Sequence, residues 1–251
     1  MDLETLSILI IAGFVAAFFD AIVGGGGLIA TPSLMLTGLP IHNVLGTNKL
    51  AALMSNVSSI YGFWKAGKID FKALKVPSII SFFMSMLGAS LALAISVDFL
   101  KNFIVIMLVI VAAYTIFKKD MGEVSSFTNN RKSNLIICGS TFILGFYDGF
   151  FGPGSGSFWT FAFIIAGLDF VSAAASTRVV NLMSVIASTI VFGVNGNINI
   201  VYGLIMGTSM MVGAYMGTKF ALNRGLKVIK PMYLCVTITL ISKQLYDIFC
   251  R

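Results

Sequence analysis

The chain has 251 residues, 57% of them hydrophobic and 11% charged, with a formal net charge of +7 and a mean hydropathy of +0.95. Soluble domains carry roughly 25% charged residues, so a water-soluble globule is excluded and the apolar excess calls for lipid. Twelve of the 17 Lys and Arg lie in or beside three loops, at 65–75, 118–132 and 219–230; that clustering fits the positive-inside rule and not a nucleic-acid surface.

Crossing roughly 30 Å of hydrocarbon takes about 20 apolar residues. The first such segment, 6–23, runs into a polar break in place of a small-residue cleavage site, so it reads as a retained helix and not a signal peptide. It carries Asp20 and is followed by Gly24, Gly25, Gly26 and Gly27. A short apolar piece, 28–37, comes next, then long segments at 44–64, 73–95 and 99–117. The most polar stretch, 118–133, reads as a cytoplasmic connecting loop. Segment 134–151 carries Asp148 and ends in a second break, Gly152-Pro153-Gly154-Ser155-Gly156. Another short piece, 157–168, precedes long segments at 170–194, 198–218 and 232–249. The expected fold class is an all-α polytopic membrane protein with about eight long helices and two short segments after the breaks. Residues 1–117 form membrane repeat 1 and 134–251 membrane repeat 2.

The halves match at an offset of 128 or 129 residues. Gly46-Thr47-Asn48-Lys49 falls on Ala175-Ser176-Thr177-Arg178, Gly88 on Gly217, and Asp20 on Asp148. If each short segment forms a hairpin with the helix before it, all three basic loops fall on the cytoplasmic side. The turn Asn195-Gly196-Asn197, the acidic start with Asp2 and Glu4, and both termini then lie outside. The repeats are therefore expected to be inverted.

Helix interiors lose roughly 1 kcal/mol per Gly relative to Ala, so four consecutive glycines interrupt a helix. A single Gly pair would instead mark close helix packing. A helix restarting at Leu28 or Ser157 aims unpaired N–H groups into the break, a geometry suited to an anion. Substrate-binding candidates are thus Gly24, Gly25, Gly26, Gly27, Gly152, Gly154, Ser155 and Gly156. Asp20 and Asp148 are isolated acids in apolar segments, where such residues face the bundle interior. They either couple protons or cap the glycine loops that follow. Lys49 and Arg178 either snorkel to the interface or supply fixed positive charge for an anion, with Thr47, Asn48, Thr177 and Asn181 adding neutral donors. His42, in a short turn, is given no role. Cys138, Cys235 and Cys250 show neither metal spacing nor a disulfide framework, and no cofactor or metal site is expected.

Asp20 to Pro32, Leu39-Pro40 with Gly46 to Lys49, and Asp148 to Phe158 together resemble the TauE/SafE family of sulfite-exporter-like permeases, over nearly the whole chain. The second break is similar to the variant of a widespread bacterial branch. The resemblance implies a multi-pass bacterial inner-membrane transporter of small organosulfur anions such as sulfite or a sulfonate. Its partners are a small anionic substrate and the lipid bilayer, with no nucleic acid, and self-association into a homo-oligomer is open. The expectation is a secondary transporter, not an enzyme, alternating access at a site between the breaks; a passive anion channel is the alternative.

Overall fold

The computed structural model describes residues 2–96, 99 and 131–223. The expected segments 99–117 and 232–249, and the joint up to residue 130, lie outside the described residues. Eight helices are described: α1 Leu3–Val23, α2 Gly27–Met35, α3 Ile41–Lys65, α4 Phe71–Ala94, α5 Arg131–Phe150, α6 Ser155–Ile165, α7 Phe170–Val194 and α8 Ile200–Asn223. No strand occurs among the described residues. Carboxylates start three of the long helices. Asp2 accepts from the Thr5 N–H, Asp70 from Lys72 and Ala73, and Asp169 from Ser172, satisfying donors a helix start leaves open.

α1, α4, α7 and α8 are long and apolar enough to cross a membrane. α3 reaches the same length as α7, 25 residues, about 37 Å, but buries Asn48, Lys49, Ser55, Asn56 and Ser59 inside the protein. Its low hydropathy reflects a polar interior face and not a shorter element. Helix α5 begins at Arg131, three residues before the expected segment.

Small residues fix how the helices run. A Cβ on Gly213 or Gly217 of α8 would strike the carbonyl of Phe14 or Phe18 of α1, and one on Gly88 of α4 the carbonyl of Phe146 of α5. Such close approach is what small residues permit inside a bilayer. The contact positions climb together along α1 and α8, so these helices are parallel. α3 and α8 are likewise parallel, through Leu50 with Gly203, Met54 with Gly207 and Gly62 with Thr218. Ser81 and Ser85 of α4 donate to the carbonyls of Val180 and Ser184 of α7, again parallel. α3 and α7 run antiparallel, since Gly46 meets Phe192 while Asn56 meets Asn181.

One end of the bundle therefore gathers Lys65, Lys68, Lys72, Arg131, Lys132 and Lys219. The other holds Asp2, Glu4 and the uncharged 195–199 turn. The ends close differently. At the uncharged end the turn sits on the start of α3: the Asn199 N–H donates to Thr47 Oγ1 at 2.9 Å. A Cβ on Gly46 there would lie 2.1 Å from the Asn197 oxygen. At the basic end, the twin turn at 66–70 stands off α7, leaving a cavity of about 320 Å³ between Lys68, Asp70, Ser172 and Ser176. His42, expected to be idle, is half-buried, with Nε2 3.1 Å from the Ala92 carbonyl, joining the start of α3 to the end of α4.

Candidate functional site

Gly24 ends α1 in the left-handed region, with φ 83°. A Cβ there would lie 2.3 Å from the Gly156 carbonyl carbon, and one on Gly156 would lie 2.5 Å from the Gly24 oxygen. The two breaks thus touch backbone to backbone, which no larger side chain would allow. Ser157 Oγ donates to the Val23 carbonyl at 2.9 Å and ties them further. The short helices restart at Gly27 and Ser155, slightly before the expected Leu28 and Ser157.

Around this crossing each half sends its cation to the other half's acid. Lys49 Nζ lies 3.0 Å from Asp148 Oδ2 and also donates to the Asp148 carbonyl. Arg178 Nη1 pairs with Asp20 Oδ2, and Nη2 donates to the Asp20 carbonyl at 2.7 Å. The two arrangements are twins, cation to carboxylate and cation to the same residue's backbone oxygen. Neither cation snorkels: Lys49 is 3% exposed and Arg178 1%. Each lies eight residues into its helix, about 12 Å from opposite ends of the bundle. Removing charges from water at that depth is costly, and pairing with added hydrogen bonds offsets the cost.

The acids also hold the breaks. Asp20 Oδ1 accepts the Gly26 N–H at 2.8 Å. Asp148 Oδ1 accepts from Ser155 Oγ at 2.6 Å, and Oδ2 from Ser184 Oγ. Behind them Asn48 Nδ2 donates to Thr31 Oγ1, twinned by the Thr160–Thr177 hydroxyl pair at 3.2 Å.

Between the breaks lies a cavity of about 40 Å³, room for about three water-sized groups. Of the sequence candidates, Asp20, Gly24, Gly26, Gly27, Asn48, Lys49, Asp148, Gly152, Gly154, Ser155, Gly156 and Asn181 line it. Gly25, Thr47, Thr177 and Arg178 stand outside the lining. Arg178 sits behind Asp20, Thr47 serves the uncharged end, and Thr177 is spent on Thr160. The sequence reading missed Ser55, Ala52, Val185 and Met210, which complete the wall. The helical spacing from Asn48 through Ala52 to Ser55 could have found Ser55.

Besides the third N–H of the Lys49 ammonium, the cavity has neutral donors to offer. The N–H groups of Gly27 and Gly156, twin positions at the starts of α2 and α6, have no acceptor among the described residues. Both residues line the cavity, at helix starts that carry a partial positive charge. The arrangement can bind a small acceptor-rich group through backbone amides, with Lys49, paired to Asp148, in the same wall and Arg178 behind Asp20.

The family described as "Sulfite exporter TauE/SafE" matches residues 9–243. "Probable membrane transporter protein" of Haemophilus influenzae is 35% identical over 253 residues, covering 98% of this chain and 97% of the relative. "Probable membrane transporter protein ORF9" of a Sinorhizobium species is 34% identical over 244 residues, covering 96% and 93%. "Probable membrane transporter protein YfcA" of Escherichia coli is 32% identical over 246 residues, covering 96% and 90%. No solved structure matches the chain. With its glycine breaks, apolar helices and this match over nearly its whole length, the chain belongs to the TauE/SafE family and is a multi-pass membrane transporter, not an enzyme.

Proposed function

We propose that the protein is a secondary transporter of a small anion, an organosulfur compound such as sulfite or a sulfonate, working by alternating access at the site between the two breaks. The observation that carries this reading is the crossed pair of ion bridges beside a cavity lined by two helix-start glycines with free N–H groups. An anion entering the cavity first meets the Gly27 and Gly156 amides and Asn181. It then competes with Asp148 for Lys49, and with Asp20 for Arg178. Asp20 or Asp148, released from its cation, is the candidate carrier of a coupled proton. Each bridge joins one half to the other, so loosening a bridge frees the halves to rock. Cargo binding and conformational change are thereby the same event, as expected where a site lies between repeats.

The antiparallel course of α3 and α7 supports reading the halves as inverted repeats. The positive-inside rule then places the basic end in the cytoplasm, and Asp2 and Glu4 outside the bacterial inner membrane.

The test is thermal stability of detergent-purified protein with sulfite, thiosulfate, sulfoacetate, taurine and small carboxylates, followed by flux in proteoliposomes. A ligand of the folded state raises stability by RT ln(1 + [L]/Kd). A shift with one sulfur anion, and saturable flux that follows the proton gradient, support the proposal. Flux that neither saturates nor responds to the gradient identifies a passive anion channel. Absence of any anion shift transfers the site to a neutral cargo.

A further inference from the structure

Part of the cavity wall comes in twins, Gly27 with Gly156 and Asp20 with Asp148, while Asn48 has its counterpart Thr177 behind the wall. One amide pair has no polar counterpart. Asn181 of α7 lines the cavity, and Asn56 of α3 lies behind it, 1% exposed. Asn56 Nδ2 donates to Asn181 Oδ1 at 2.8 Å. The twin positions are Ala52 and Val185, both in the wall and both without hydrogen-bonding side chains.

A primary amide offers a carbonyl on one side and two N–H groups on the other. Left free, Asn181 could turn either face to a cargo. With its oxygen taken by Asn56, the NH2 group of this cavity-lining residue has no partner among the described residues, and neither has the buried Asn56 Oδ1. The geometry points to Asn56 as a positioning residue that pins Asn181 with its donor side inward, and so sets the site's preference for cargo bearing acceptor oxygens. This inference rests on the reading of the cavity as an anion site. Sites that present a fixed donor reject analogues lacking the matching acceptor more strongly than apolar walls do. A cargo that offers N–H groups meets the wrong side of Asn181, while Ala52 and Val185 give it no alternative partner.

Two substitutions reverse the group facing the cavity by different routes. Asn56→Asp offers acceptors alone, so Asn181 must donate to it and turn its carbonyl inward. Asn181→Asp keeps the bond from Asn56 and places a carboxylate oxygen in the wall. Each variant is reconstituted in proteoliposomes, and initial rates of sulfite and sulfoacetate uptake are compared with wild type. Both are expected to raise KM at least about tenfold, the weight of one hydrogen bond to a charged group, with kcat changed less than about twofold. Asn56→Leu, which removes the bond without reversing it, is expected to raise KM by a smaller factor, and it serves if Asn56→Asp does not fold. Asn56 variants with the wild-type KM, beside an Asn181→Asp whose KM rises, overturn the positioning role. Loss of kcat at constant KM in the Asn56 variants overturns it too, because that pattern belongs to a purely structural residue. If wild-type protein takes up neither anion, the underlying reading of the cavity fails, and this separates the two cases.

Discussion

Replacing Asp20 by Asn is expected to cost more stability than replacing its partner Arg178 by Met, although both remove the same bridge. Arg178 is 1% exposed, and its Nε already lacks a partner. Asp20→Asn leaves that guanidinium as a buried charge with no counter-ion, received by the backbone carbonyl and by an amide oxygen for which the Gly26 N–H competes. Breaking a buried pair from one side costs about 3–5 kcal/mol. The surviving bond to the Asp20 carbonyl puts the value near the lower limit, about 3 kcal/mol. Arg178→Met leaves a carboxylate whose side chain is 21% exposed and still accepts the Gly26 N–H. Partial hydration and that bond reduce the cost to about 1–2 kcal/mol. The double variant carries no charge at all and should return to within about 1 kcal/mol of wild type, since a neutral, packed replacement is often nearly neutral in stability. At about 2–4 °C per kcal/mol for a chain of this size, Asp20→Asn should lower the melting temperature in detergent by about 6–12 °C, and Arg178→Met by about 2–8 °C. Arg178→Met melting below Asp20→Asn would refute the burial reasoning. A double variant as unstable as the sum of the singles would refute the pairing itself.

Gly156→Ala places a Cβ 2.5 Å from the Gly24 oxygen; neither backbone can yield, so a loss of more than about 2 kcal/mol and of all flux is expected in melting and uptake assays. Gly46→Ala drives a Cβ against the Asn197 oxygen and should lift the 195–199 turn. A cysteine at Asn199 would then react faster with a membrane-impermeant maleimide, while unchanged labelling would mean the turn is not seated there. Burial raises the Asp169 carboxyl, but hydrogen bonds from Ser172 and the charge of Lys68 outweigh it, leaving its pKa below the ordinary value. Its unfolded form therefore takes up protons first as pH falls. Its contribution is full above the unfolded value near pH 4 and is lost as pH drops through the lowered one. Asp169→Asn keeps a good helix cap and should flatten the acid limb of stability against pH; an unchanged limb would assign it to other carboxylates.

The offset that aligns Asp20 with Asp148 and Lys49 with Arg178 was legible in the chain, because the matching residues recur at matching distances. Which acid meets which cation was not. Equivalence of positions is a statement about each half alone, whereas the bridges span 99 and 158 residues and depend on how the halves face one another. The glycine breaks were legible for a local reason: four glycines cannot remain helical at reasonable cost. Thr47 and Thr177 carried the same polar signature as Asn48 and Asn181 but turn to other partners, since the direction of a hydroxyl on a helix follows from the neighbour across the groove. Asn56 left no trace in the repeat because its twin is Val185. His42 was read from its place in a turn, and its bond to Ala92 requires the fold of α4.

The crossed bridges also bear on how such a chain can be made. While the first half alone is in the bilayer, Asp20 has no Arg178 and Lys49 has no Asp148, so neither bridge can form until the second half follows. The second half supplies both partners, Asp148 on α5 and Arg178 on α7. Because Lys49 and Arg178 are interchangeable in sign and position, two copies of one half, inserted in opposite senses, would satisfy the same bridges. Each half thus meets the other as one partner of an antiparallel pair meets its mate, giving an acid and a cation and receiving the same.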